Sequence, residues 1–285
     1  MPPAPDHTLF QISDPHLRAE GELLRYGVET HAPLAAVLAA VERSAVRPAA
    51  LLFTGDLADA GQPAAYRRLR AMVEPVANRV GAPAIYVAGN HDRRPELREH
   101  LLGAPPDRGA AGHEPYDHVL RLGGLRVVVL DTSVPGHPHG ALSAAQLDRL
   151  AAELARPAPA GTVLALHHPP LPNASPLIAH IALRDPDALA AVLAGSDVRI
   201  VLGGHTHLIS AGAVAGIPVW TGGSTAYAYD PLPPDRGERL LHAPGLTRID
   251  LFADSVIASA VPVGAPTVLA VGADRAAALR AVTTD

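Results

Sequence analysis

Two rhythms of apolar residues alternate along the first two-thirds of the chain. Five β-rich runs have strand length: Leu9-Phe10-Gln11-Ile12, Leu51-Leu52-Phe53, Ile85-Tyr86-Val87, Val163-Leu164-Ala165-Leu166 and Ile200-Val201-Leu202. Between the early runs, residues 32–46 and 63–80 are apolar at helical spacing, the second with Arg67, Arg68 and Arg70 on its wet side. Pro95 starts a short helix over 95–102, since proline suits a first helical turn. Residues 117–122 and 125–130 read as strands joined by a hairpin at Gly123-Gly124. Ser143 is placed to cap a helix over 143–155, and Asp185-Pro186 opens another over 185–194. The final third predicts strands at 208–214, 217–221, 246–252 and 255–261. Such alternation followed by strands predicts an α/β fold of two packed sheets with helices outside. Residues 1–261 show no internal repeat or boundary and are expected to form a single domain. Residues 229–234 read as a Pro-rich surface loop, and the small, Ala-rich 262–285 as a tail or added element.

Each of the five β-rich runs is followed at once by a polar motif. These are Asp14-Pro15-His16, Gly55-Asp56, Gly89-Asn90-His91-Asp92, His167-His168-Pro169 and Gly203-Gly204-His205-Thr206-His207. Strands that each deliver oxygen or nitrogen at a carboxyl end can converge on one point. Asp14, His16, Asp56, Asn90, His167, His205 and His207 offer carboxylate, amide and imidazole without thiolate. That donor set suits borderline to hard divalent or trivalent metals. Seven donors exceed what one ion takes from protein while keeping an open position, so the chain reads as a two-metal hydrolase. Asp14 and His16 lie two apart in an irregular loop, from which both can reach one ion. His205 and His207 are also two apart, which on an extended segment puts both side chains on one face.

The five motifs, in this order, resemble the calcineurin-like metallophosphoesterase superfamily, over nearly the whole chain to about residue 261. Leu130-Asp131-Thr132-Ser133-Val134-Pro135-Gly136, followed by Gly140, Leu142 and Gln146-Leu147-Asp148-Arg149-Leu150, is similar to the bacterial class III cyclic-nucleotide phosphodiesterases. So is the stretch from Leu183-Arg184-Asp185-Pro186 into the last motif. The resemblance implies a four-layer α/β/β/α sandwich of two mixed β-sheets flanked by helices, and a homodimer. It implies two metal ions, manganese and/or iron, with zinc or cobalt as alternatives. One would take Asp14, His16, Asp56 and His207; the other would take Asp56, Asn90, His167 and His205, with Asp56 bridging. The implied reaction is in-line attack of a metal-bridging hydroxide on 3′,5′-cyclic AMP to give 5′-AMP, with 2′,3′-cyclic nucleotides as further substrates. Glycerophosphodiesters or other small phosphodiesters are the alternative substrates, followed by phosphomonoesters. A metal-free binding scaffold on the same fold is the non-enzymatic alternative, and the complete donor set argues against it.

His91, beside Asn90, is the candidate acid, because a histidine near the ions but not on them can carry a proton to a leaving alkoxide. Phosphate contact alone is its plainer role. Asp59 and Asp92 read equally as carboxylates supporting the ligands or as turn and cap residues. Taken singly, Asp56 and Asn90 would read as turn residues. The family's H-x-P spacing selects His167 over His168, which is left a structural or near-substrate role. His137-Pro138-His139 reads as a solvated loop, and the Gly203-Gly204 and Gly222-Gly223 pairs as places where backbone passes close to metal or substrate.

Composition narrows the class without choosing the chemistry. Of 285 residues, 48% are hydrophobic and 18% charged, a globular balance with ample core. The net charge is −5, and all 23 basic residues are arginine with no basic block, which argues against a nucleic-acid polymer as partner. The partner that the resemblance implies is a small-molecule phosphodiester. Cysteine is absent, so thiol chemistry and disulfides are excluded. The N-terminus carries no basic segment or apolar signal core, and no apolar run approaches the ~20 residues of a membrane span. A cytoplasmic setting is expected.

Overall fold

In the computed structural model, which describes residues 4–106, 109–173, 175–233, 238–264 and 267–272, the β-rich runs become central strands of two sheets. β1 (His7–Ile12), β2 (Ala50–Thr54) and β3 (Ala84–Val87) run parallel in the first. Beyond β1 lie two antiparallel strands, β14 (Gly245–Leu251) and β15 (Val256–Pro262). In the second sheet β5 (Leu125–Leu130), β8 (Thr162–Leu166), β9 (Val198–Gly203) and β11 (Ile217–Thr221) run parallel. Its antiparallel edges are β4 (His118–Leu122) and β10 (Ser210–Val214). Both sheets are mixed.

Three apolar layers separate the four structural ones. Leu51 and Phe53 of β2 face α1 (His31–Arg43) and α2 (Pro63–Val80), where they meet Leu34, Val37, Tyr66 and Leu69. The intervening Leu52 turns inward and joins Ile85, Val127, Val163 and Ile200 between the sheets. On the far side Val128, Leu164 and Val201 pack against Leu150 and Leu154 of α5 (Ala144–Leu154) and Leu189 and Leu193 of α7 (Pro186–Leu193). Burial on both faces explains why these strands read as unbroken apolar runs. The architecture is the expected α/β/β/α sandwich.

Local signals account for several joints. Gly123 and Gly124 both have positive φ, 57° and 95°, as a primed hairpin turn demands. Ser143 and Gln146 form a reciprocal capping box at the start of α5. The helix expected over 95–102 divides into α3 (Arg94–Glu96) and a π-helical turn, Leu97–Leu101. Two short helices, α4 (Ala110–His113) and α6 (Pro176–His180), were not anticipated. The His137-Pro138-His139 triplet belongs to a hairpin of β6 (Ser133–Val134) and β7 (His137–Gly140), where the sequence suggested only a loop.

A third sheet departs further from expectation. β12 (Ala228–Tyr229), β13 (Glu238–His242) and β16 (Thr267–Gly272) pair antiparallel, so residues read as loop and tail supply strands. The remainder of the expected tail, 273–285, lies outside the described residues. No described helix is long and apolar enough to cross a membrane.

Candidate metal centre

The seven candidate ligands stand on the turns leaving the carboxyl ends of β1, β2, β3, β8 and β9. Asp14, His16, Asp56 and His207 converge, each offering an atom within 4.8 Å of the others. His167, His168 and His205 form a second such group, and Asn90 Oδ1 lies 3.2 Å from His167 Nε2. Asp56 stands between the groups. Its Oδ2 is 3.5 Å from His16 Nε2 and 3.3 Å from His167 Nε2. Its Oδ1 accepts the His91 amide at 2.9 Å.

His205 and His207 fall on opposite sides of this arrangement, which corrects the expectation of a shared face. Both are left-handed, with φ of 68° and 52°, so the segment is not extended and the two rings diverge. Asp14, His16 and Asp56 are also left-handed, with φ of 48°, 42° and 47°. The backbone makes room for these turns through glycine. A Cβ on Gly89 would strike the amide and carboxylate of Asp56, and one on Gly204 would strike Ser13 Oγ and Asp14 Oδ2.

Hydrogen bonds fix which ring nitrogens remain free. A carbonyl oxygen only accepts, so a ring nitrogen facing one must carry hydrogen. His167 Nδ1 donates to the Thr54 carbonyl at 2.8 Å, His207 Nδ1 to Tyr227 at 2.8 Å, and His205 Nε2 to Ile181 at 2.9 Å. His16 Nδ1 donates to Asp59 Oδ1 at 3.1 Å. In the neutral ring the opposite nitrogen presents its lone pair inward. His16 Nε2 and His207 Nε2 then face each other at 3.0 Å, with Asp14 Oδ1 3.5 Å from the latter. Ring nitrogens and carboxylates crowd together here, which is an environment made for cations. These residues fit metal ions.

The electrostatics without ions agree. Burial would depress the His167 imidazole, but the Asp56 carboxylate raises it to about 9, so the ring holds a proton that a cation would replace. Burial and the charge on His167 push His205 down to about 3. Burial alone would raise Asp56; His167 and His91 instead hold it well below the usual carboxylate range.

His168 has no free nitrogen despite its place in the second group. Its Nε2 donates to the Pro138 carbonyl at 3.1 Å, and its Nδ1 accepts from Thr132 Oγ1 at 2.8 Å. Its role is structural. His91 is different: Nδ1 donates to the Asp59 carbonyl at 2.6 Å, while the side chain is 40% exposed and Nε2 is left open. Burial opposes its charge, but Asp56 and the Asp59 carbonyl raise its pKa. Asp59 accepts from the candidate ligand His16 and, at 2.7 Å, from Arg18. Asp92 is a tie instead, accepting the amides of Leu57, Ala58 and Gly89 and the Tyr66 hydroxyl. Burial and Asp56 raise its pKa to about 6. The other histidines join no metal-capable group among the described residues.

Sequence reasoning missed the carbonyls of Thr54, Ile181 and Tyr227, because a backbone acceptor carries no residue signature. It also missed the Tyr227 ring, which packs 4.3 Å from His207. Residues 7–208 match the calcineurin-like phosphoesterase family. A cAMP/cGMP dual specificity phosphodiesterase from Mycobacterium tuberculosis is 45% identical over 263 residues, covering 92% of this chain and 81% of that protein. A probable cyclic nucleotide phosphodiesterase from Rhodococcus erythropolis is 47% identical over 264 residues, covering 92% and 86%. A dimetal phosphatase from Danio rerio shares the fold, with a TM-score of 0.66 at 17% identity over 93% of this chain and 99% of that one.

Proposed function

The chain belongs to the calcineurin-like phosphoesterase family, and from that premise we propose that it is a dinuclear-metal phosphodiesterase of 3′,5′-cyclic nucleotides, cyclic AMP foremost. The observation that carries this reading is the pair of donor groups meeting at one carboxylate, Asp56. Asp14, His16, Asp56 and His207 would hold one ion, and Asp56, Asn90, His167 and His205 the other. Such a pair, when bound, brings the pKa of water toward neutrality and offsets charge on phosphoryl oxygens.

The chain's own residues supply orientation and a proton. The carbonyls of Thr54, Ile181 and Tyr227 each hold a ring N–H, which orients three imidazoles so that the opposite ring nitrogen is the one turned toward an ion. Asp59 does the same for His16 with a full charge. Asn90 adds an oxygen without adding negative charge. His91, anchored through Nδ1, keeps Nε2 open toward a substrate phosphoryl group. Attack by water on phosphorus opens the P–O3′ bond, and His91 passes its proton to the departing O3′, leaving 5′-AMP. No serine or cysteine nucleophile is required.

The names of the two bacterial relatives favour cyclic nucleotides over glycerophosphodiesters. The same reading includes manganese or iron as the ions and a homodimer as the working form. A substrate panel with manganese added tests it: cyclic AMP in both isomers, cyclic GMP, glycerophosphocholine, bis(p-nitrophenyl) phosphate and its mono-ester. Turnover of the 3′,5′-cyclic nucleotides is expected. Turnover of the mono-ester or glycerophosphocholine with none of either 3′,5′-cyclic nucleotide would sink the reading.

A further inference from the structure

Two cavities open beside the metal centre, and they differ in what they share with it. The first, of about 560 Å³, has Asn90, His91 and Asp59 in its wall and extends to Glu96 and Val134. The second, of about 460 Å³, is walled on the near side by Leu208 and Tyr229 and contains none of the seven proposed ligands. Both are large enough for a nucleoside. We propose that the first cavity is the nucleoside subsite, taking the ribose and purine of the cyclic nucleotide while its phosphoryl group lies at the Asn90 edge. This rests on the phosphodiesterase reading.

Continuity is the first argument. A phosphodiester held at the ions must carry its organic arm out through space that adjoins the ligands, and only the first of these two cavities has a ligand in its wall. The arm to be released also carries O3′, which must come within reach of His91 Nε2; that histidine lines the same cavity.

The second argument is that the walls are braced in advance. Arg94 is only 9% exposed and makes four hydrogen bonds. Its Nε donates to Asp131 at 2.7 Å, Nη1 to the His113 carbonyl at 2.8 Å, and Nη2 to the Ser133 carbonyl at 2.8 Å and the Ser133 hydroxyl at 3.3 Å. One guanidinium thus locks α3, the end of α4 and β6 together around the space. Pre-formed walls reduce the ordering cost of binding a flat base. Four of the five guanidinium N–H groups are engaged by the wall itself, so Arg94 positions the wall.

The lining also bears on selectivity. Val134 and Pro135 offer apolar surface, and the Ser133 hydroxyl is already committed to Asp131 at 2.6 Å. Arg93, Glu96 and His113 line the same wall, so a purine there meets polar as well as apolar side chains, and comparing cyclic AMP with cyclic GMP reads their effect on selectivity.

The test blocks each cavity in turn in the manganese-loaded protein. Val134→Trp fills the first cavity from a half-buried position, and Ala211→Trp fills the second from an exposed one. The readouts are metal content, kcat and KM for cyclic AMP, cyclic GMP and bis(p-nitrophenyl) phosphate, and calorimetric binding of a phosphorothioate analogue of cyclic AMP. Val134→Trp should keep its metal and lower kcat/KM for both cyclic nucleotides about tenfold more than for the smaller diester, chiefly through KM. It should weaken analogue binding by a similar factor, while Ala211→Trp leaves the ratio among substrates at the parent value. The reverse pattern, or an equal loss on all three substrates in Val134→Trp, overturns the subsite alone. A parent protein that neither binds nor cleaves cyclic nucleotides overturns the phosphodiesterase reading and the subsite with it.

Discussion

Left-handed backbone is costly for a residue with a Cβ, yet five of the seven candidate ligands adopt it: Asp14, His16, Asp56, His205 and His207. A metal-binding turn must present side chains inward within two or three residues of a strand end, and a relaxed backbone would splay them. The surrounding ties hold the turns in place. Asp14 accepts the His205 amide, and Asp56 accepts the amide of His91. At this scale the sharpest test concerns His91, whose free Nε2 gives it a role apart from the ligands. His91→Ala should leave metal content near normal and slow cyclic AMP turnover by about 10²–10⁴-fold, the usual range for a general acid. The loss should shrink for p-nitrophenyl esters, whose leaving group needs little protonation. Equal losses on both substrates would assign His91 to phosphate positioning instead. The side chains at the centre were legible in the sequence because carboxylate and imidazole advertise themselves. The free ring nitrogens were not, since carbonyls selected them.

At the scale of elements, the centre depends on five strand ends being level. Parallel pairing of β1, β2 and β3 sets three of them, and pairing of β8 with β9 sets the other two. Asp92 then clamps the loop after β3 to the loop after β2 through three amides. Gly89 lets the two loops touch, because its Cα packs against Asp56 itself. Gly89→Ala should therefore push the Asp56 loop outward and lower metal occupancy more than overall stability. Overpacking typically costs about 1–3 kcal/mol, which a domain of this size absorbs. A mutant with full metal content and unchanged activity would show that the loops have slack. The strands and helices that shape this level were readable because their apolar periodicity is strong. β12, β13 and β16 were not, since β12 spans only two residues, β13 follows a Pro-rich stretch that reads as loop, and β16 lies in a stretch that reads as tail. The turn of His205 and His207 was misread for a related reason: a spacing of two signals a shared face only on extended backbone.

Across the whole molecule, the centre joins two sheets while the three apolar layers beneath it contain none of the candidate ligands. Removing metal with a chelator should abolish activity but leave a single cooperative unfolding transition at lower Tm. Saturating ions at ~100 times their Kd would restore about 2.7 kcal/mol. A pH signature accompanies this. In the metal-free protein the His167 pKa is raised to about 9, so its proton contributes stability that is full below 6.5 and lost as pH rises toward 9. An ion must displace that proton, so binding should release protons at pH 7 and tighten with pH until about 9. Calorimetry in buffers of different ionisation enthalpy measures the release, and its absence at pH 7 would contradict this account of His167.

The facing nitrogens of His16 and His207 are 191 positions apart in the chain, and that separation has a temporal meaning. A chain growing from its N-terminus displays Asp14, Asp56 and Asn90 well before His205 and His207 have been synthesised. Joining the ends of so long a segment must wait until parallel strands pair across it, a slow class of event. The constellation is consequently among the last features to exist, and ions cannot act as its early template. Loading follows folding, and a cell starved of metal would be expected to stockpile a finished but silent protein that wakes when ions return.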